Sequence, residues 1–102
     1  QEGVIGYIPT ATKEEANFLA ASLLEKKLIA CANIFEGMSL YHWENKLHQS
    51  GESLLLVKTS HECYDQMCQV VKELHSYDLV CIIKIPVFMD DEYFSWLKQQ
   101  VA

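Results

Sequence analysis

The sequence predicts an α+β fold: a ferredoxin-like βαββαβ sandwich with a long central hairpin and an extra C-terminal helix, built as a single domain over residues 1–102. Three observations predict it. Apolar runs rich in β-branched residues alternate with stretches of helical periodicity in the order β-α-β-β-α-β, and one more helical stripe follows. The two middle runs are separated by a stretch polar enough for a turn, which makes them a hairpin. A chain of 102 residues, half of them hydrophobic and 22% charged, suffices for one folded domain but not for two. Two split βαβ units of this kind form one sheet with helices on one of its faces.

The first strand is "GVIGYIP", residues 3–9, closed by Pro9. Thr12 and Glu15 then fit a capping box, in which a hydroxyl and a carboxylate satisfy two free amides at a helix start. Ala16, Leu19, Ala20, Leu23 and Leu24 recur at helical spacing, so a helix runs over 13–27. Leu24 on that stripe is expected in the core, where truncation to alanine costs about 2–5 kcal/mol. "LIACANIF", 28–35, reads as a buried strand that Gly37 breaks or bulges. "SLYHWEN", 39–45, alternates, with Tyr41 and Trp43 on one face. "NKLHQSG" is the hairpin loop and "ESLLLVKT", 52–59, the strand that returns; His42 and His48 read as solvated.

Ser60 caps a second helix, on which Tyr64, Met67, Val71 and Leu74 share one face. "LVCIIKIPV", 79–87, is the last long strand. Asp90, Asp91 and Glu92 suit the positive end of a final helix, whose stripe is Tyr93, Trp96, Leu97 and Val101.

Charge narrows the function. Eight lysines and no arginine stand against fourteen acids, for a net charge of −6. Phosphate binding needs clustered cations, so no nucleic-acid partner is expected, although RNA-binding domains share this topology. No apolar run approaches the roughly 20 residues of a membrane span. Cys31, Cys63, Cys68 and Cys81 form no CxxC pair; they read as reduced thiols of an intracellular, cytoplasmic protein. A start without Met leaves room ahead of it for a mitochondrial or secretory-pathway targeting segment. No nucleophile motif and no phosphate loop is present, so no enzyme is expected.

"LIACANIF", "SLYHWENKL", "ESLLLVKT", "HSYD" and "YFSWL", in this order and across nearly the whole chain, resemble the CutA family of divalent-cation-tolerance proteins, in a vertebrate member or a paralogue of one. The resemblance implies a homotrimer held by long intertwined strands, a link to copper or another divalent cation, and a protein partner related to acetylcholinesterase processing and anchoring. It implies no catalytic residues. It also implies a cleft between subunits. Tyr41, Trp43 and Lys46 would line it from the first hairpin strand, and Glu52, Lys58 and Thr59 from the second. His75, Tyr77 and Asp78 would join from "HSYD", and Tyr93 and Trp96 from the last helix. Cys31 matches the Ala-Cys of the family's second strand.

The chain departs from the family pattern: no cysteine precedes the first helix, where it has "YIPTAT", Asn45 stands where the family often has Gly, and the other departures cluster after His75. Where the family runs His-Pro-Tyr-Glu and then Pro-Glu, this chain has Ser76, Asp78, Val80 and Cys81. His75, Asp78 and Cys81 are the candidate metal ligands, and a soft sulfur at 81 suits Cu(I) better than a hard dication. The other reading of "ELHSYDLVC" is a helix end, a turn and a buried strand. There His75 bonds the last carbonyls, Cys81 points into apolar core, and any divalent-cation binding is weak. Beside the metal reading stands a small-molecule sensor of the trimeric PII type, which shares the architecture and binds ligands between subunits.

Overall fold

The computed structural model describes residues 1–102, and its sheet is dominated by one hairpin. Strand β1 (Glu2–Thr10) leads into helix α1 (Lys13–Glu25), then β2 (Cys31–Trp43) and β3 (Lys46–Thr59). Helix α2 (His61–Leu74), strand β4 (Ile83–Phe88) and helix α3 (Asp91–Gln100) complete the chain. The four strands are antiparallel in the order β2-β3-β1-β4. This is the expected βαββαβ sandwich with a C-terminal helix.

The hairpin is longer than its hydrophobic pattern suggested. The expected break at Gly37 is absent, because Gly37 pairs with Glu52 inside an unbroken register from Cys31↔Lys58 to Trp43↔Lys46. Glycine serves there for space: a Cβ would lie 2.9 Å from Leu54 Cδ1. The expected loop is mostly strand as well. Only Glu44 and Asn45 turn, with φ of 53° and 63°. Two successive left-handed residues are what a two-residue type I′ hairpin turn requires. Lys46 to Gly51, polar but for the exposed Leu47, are extended because the tip projects past the helices, where burial does not select apolar side chains. The molecule is accordingly 46 Å long but only 24 by 21 Å across.

Both helix starts form as read. Thr12 Oγ1 accepts the Glu15 amide at 3.0 Å, and Ser60 Oγ accepts that of Cys63 at 3.3 Å. Asp90 Oδ2 accepts the amides of Glu92 and Tyr93 at the start of α3. Helix α1 stops at Glu25, and Lys27 reverses the chain at φ 57°. Leu28, Ile29 and Ala30 are buried, but they form a connection rather than strand.

The core lies between the helices and one sheet face. Leu19 and Leu23 of α1 and Cys63, Met67 and Val71 of α2 meet Ile8, Leu55 and Val57. Leu24 does not belong to it. It is 45% exposed while Leu23 is fully buried, because the stripe of Ala16, Leu19, Ala20 and Leu23 already faces the sheet and one further residue turns the side chain about 100° away. Leu74, in the last turn of α2, is likewise exposed beyond the core.

Strand β4 is shorter than the expected 79–87. Continuing its register with β1 would set Pro9 opposite Cys81. Pro9 has no N–H to give, and its carbonyl accepts from His75 Nε2. Leu79, Cys81, Ile83 and Ile85 do share a side by alternation, but it is the side no helix covers. Val80 and Ile82 pack against the core instead, Leu79 is 71% exposed, and Cys81 is exposed. The expectation of a core thiol at Cys81 is therefore reversed. With Phe35, Ile83 and Ile85 also exposed, one sheet face keeps its apolar side chains in the open.

Candidate functional site

At the end of β1 the chain leaves α2 and crosses to the edge of the sheet through residues 75–82. His75 anchors the crossing. Its side chain is fully buried; Nε2 lies 2.8 Å from the Pro9 carbonyl, and Nδ1 accepts the Tyr77 amide at 3.1 Å. A ring nitrogen that accepts an N–H carries no proton, so Nε2 is the one that donates to Pro9. The expected bond from this ring to the last helical carbonyls is not made, because Pro9 comes closer across the layer.

Glu15 is the second anchor. Its Oε1 accepts the Ala11 amide at 2.9 Å, and its Oε2 accepts the Ser76 amide at 2.7 Å. The capping glutamate thus reaches across to the crossing. Burial pushes its carboxyl up, but the bonds from Ala11 and Ser76, with the nearby His75 ring, outweigh that and hold it below its ordinary 4.5. A carboxyl lowered by folding adds stability that is present above pH 4.5 and lost as pH falls through the lower folded value. Glu15→Gln should therefore lower the urea midpoint at pH 7, and the deficit should shrink as the pH is taken from 4.5 towards about 3. A deficit of constant size across that range would disprove the electrostatic part of the anchor.

Tyr77 carries the crossing onto the open sheet face. Its hydroxyl donates to Glu52 Oε2 at 2.7 Å, Ser39 donates to Glu52 Oε1, and Glu52 is 6% exposed. Burial, followed by the bond to Glu52, raises the Tyr77 phenol above its ordinary value. Burial and the Glu52 charge also raise the Cys81 thiol. Both groups keep their protons at neutral pH.

Over this pair opens a groove of about 610 Å³. Tyr7, Pro9, Ser39 and Glu52 line it from the sheet, and Tyr41, Trp43 and His48 from the hairpin. Tyr77, Asp78, Leu79 and Cys81 line it from the crossing. The Tyr41 and His48 rings stack at 5.5 Å and 11°, so His48 is half-buried rather than solvated as expected.

The cleft residues implied by the resemblance divide between two places. Tyr41, Trp43, Glu52, Tyr77 and Asp78 meet in the groove, with His75 next to Tyr77 at 4.8 Å between ring centroids. Lys58, Tyr93 and Trp96 gather at the far end of β3. There the Lys58 ammonium lies 5.8 Å from the Tyr93 ring centre, and the Tyr93 and Trp96 rings are 5.5 Å apart. Lys58 is six positions past Glu52 on β3, about 20 Å along an extended strand. Lys46 stands exposed beside the turn and does not line the groove. Thr59 is fully buried and donates to the Leu28 carbonyl at 2.6 Å, so its hydroxyl is not available to a ligand.

The expected metal set does not assemble. No three His, Cys, Asp or Glu side chains are grouped to hold an ion. Both nitrogens of His75 are engaged by backbone, Cys81 remains a thiol, and Asp78 offers its carboxylate alone. The donors of one protomer therefore do not fit a resident metal.

Sequence reading missed Glu15, Ser39 and His48 as parts of the site. His48 was findable: a turn at Glu44–Asn45 sets it opposite Tyr41. Glu15 was visible only as a cap, since its second oxygen acts across 61 positions.

The profile of the CutA1 divalent ion tolerance protein matches residues 4–100. This chain belongs to the CutA1 family. The Archaeoglobus fulgidus divalent-cation tolerance protein CutA is 40% identical over 96 residues, which covers 93% of this chain and 94% of that one. The rice chloroplastic Protein CutA 1 is 36% identical, and this chain spans 55% of its length. Among solved structures, a variant of CutA1 from Pyrococcus horikoshii superposes with a TM-score of 0.95 at 33% identity, covering 97% of this chain and 98% of that one. CutA1 from Oryza sativa gives 0.95 at 33% identity over 99% and 94%. The α+β fold and the divalent-cation-tolerance family are thereby established for this chain.

Proposed function

We propose that this CutA1-family protein works as a non-enzymatic homotrimer in divalent-cation tolerance, with copper among the cations it meets. The observation that carries the assembly is the open sheet face. Phe35, Ile83 and Ile85 are exposed on it, and the outer strands β2 and β4 leave their edges unpaired. Apolar faces and free edges of this kind are covered by other chains. Cation binding by the protomer is weak because no three ligands converge. A site of useful affinity needs donors from two copies. From the family resemblance we also propose a cytoplasmic site of action in a vertebrate cell and an acetylcholinesterase-related protein as partner of the assembled surface.

Light scattering at micromolar concentration should give about 35 kDa, three times the 11.7 kDa chain. The mass of a single chain would refute the trimer.

A second reading, the PII-like small-molecule sensor, is favoured by the groove. Its 610 Å³ falls within the roughly 300–1,000 Å³ of small-molecule sites, and its aromatic walls with a few fixed polar groups match their usual composition.

A further inference from the structure

We propose that, in the assembled protein, Lys58 of one copy enters the groove of the next and pairs there with Glu52. The inference rests on the homotrimer proposed above and names a contact that joins its copies.

Assembly creates the need for a cation. Glu52 is 6% exposed in the protomer, and its partners are the Ser39 and Tyr77 hydroxyls, one to each oxygen. A carboxylate has about four acceptor positions, so roughly two rely on water. A copy that covers the open sheet face takes that water away. A carboxylate buried without a compensating cation is strongly destabilising, so the covering copy has to bring one.

The chain has few cations to bring. It contains no arginine. Lys13, Lys26, Lys27 and Lys72 lie on or next to α1 and α2, in the layer behind the other sheet face. Lys98 bonds Glu62 at 2.8 Å, and Lys84 lies over the Tyr64 ring of α2. Lys46 and Lys58 remain. Both share the open face with Glu52, because positions 46, 52 and 58 alternate onto one side of β3 in an unbroken register.

Lys58 is the complementary orphan. Lys46 stands exposed at the hairpin tip, where water serves it. Lys58 is half-buried, with its ammonium 5.8 Å from the Tyr93 ring centre and no ion pair in its own chain. It cannot reach its own Glu52, six positions and about 20 Å away along the strand. One face thus carries a buried acid at one end and a cation without an acid at the other. A threefold ring joins unlike patches head to tail, which sets one end of each face against the other end of the next. Exposed aromatic side chains accompany both ends, Tyr41 and Trp43 at the groove and Trp96 beside Tyr93, and such side chains are enriched where copies meet.

The test is a double-mutant cycle on the assembled protein, read as the protomer concentration at which the light-scattering mass is halfway to that of a single chain. Urea is set so that the wild type dissociates in the micromolar range. Glu52→Gln and Lys58→Met should each raise that concentration at least about tenfold, as expected when one member of a buried charge pair is removed. The double variant should exceed the worse single by no more than about threefold, because the pair is lost only once. Lys46→Met should leave the concentration unchanged. Exchanging the charges, Glu52→Lys together with Lys58→Glu, should recover at least about tenfold over either exchange alone, which keeps the test decisive where a single variant does not fold. Losses that add in the cycle, or an exchange that recovers nothing, would overturn the pair and leave the trimer standing. Coupling of Glu52→Gln to Lys46→Met instead would overturn Lys58 as the partner. A wild type with the mass of a single chain would overturn the assembly and the pair together.

Discussion

Leu23→Ala should destabilise the protein by about 2–5 kcal/mol, while Leu24→Ala should cost less than about 1 kcal/mol. The two side chains are neighbours in sequence and chemically identical, so the difference isolates burial. Leu23 is fully enclosed by the sheet and α2, and its truncation removes apolar burial and leaves a cavity that rigid neighbours fill only in part. Leu24 keeps nearly half its surface in water, and alanine repays part of its loss through a better helix propensity. Urea melts of both variants at matched protomer concentration measure this, because assembly makes the midpoint concentration-dependent. Equal losses would mean that Leu24 is covered in the assembled protein. In that case α1 would itself be part of an interface.

Local patterns carried the fold in this chain, and long-range geometry carried the site. The capping residues Thr12, Ser60 and Asp90 and, except for their ends Leu24 and Leu74, the stripes of α1 and α2 depend on neighbours three or four positions away, and they were legible. The strand ends were not. Lys46 to Gly51 are mostly polar, and Leu47 is exposed, because no helix covers the hairpin tip, so alternation vanishes while pairing continues. Residues 79–82 look like strand because they are apolar, but Pro9 denies them a ladder. The face on which Cys81 emerges was lost for a related reason. Alternation says which residues share a side, and it takes the helix positions to say which side is covered.

The same distinction explains why the expected cleft separated into two clusters. Residue types matched to a family mark positions that matter without saying that one chain brings them together. Glu52 and Lys58 lie on the same strand face, yet the strand holds them far apart. A single chain therefore offers an acidic, aromatic groove at one end of β3 and a Lys58–Tyr93 pair at the other. Joining an element of one kind to an element of the other requires a second copy, which ties any shared cleft to the assembly proposed above. The stoichiometry measurement is thus also a measurement on the cleft.

His75→Ala should cost on the order of 3–5 kcal/mol and leave the response to divalent cations unchanged. The cost has two sources. Removing the ring leaves the Pro9 carbonyl without its donor and the Tyr77 amide without its acceptor, at about 1–3 kcal/mol for each buried group that stays unpaired. It also empties the space between β1 and the crossing, adding a cavity term. Partial rescue follows from the same geometry. His75→Gln can return an N–H towards Pro9, and His75→Asn can return an acceptor towards Tyr77, so each should recover part of the loss and neither all of it. The cation response should hold because a ring with both nitrogens bonded to backbone has no lone pair for a metal. Calorimetry with Cu(II) and Zn(II), run well below each variant's melting temperature, tests this half. A submicromolar binding event in the wild type that disappears in both His75→Ala and the better-folded His75→Gln would mean that the ring leaves its backbone partners to take the ion. The crossing from 75 to 82 would then be a metal-triggered switch rather than a fixed wall of the groove.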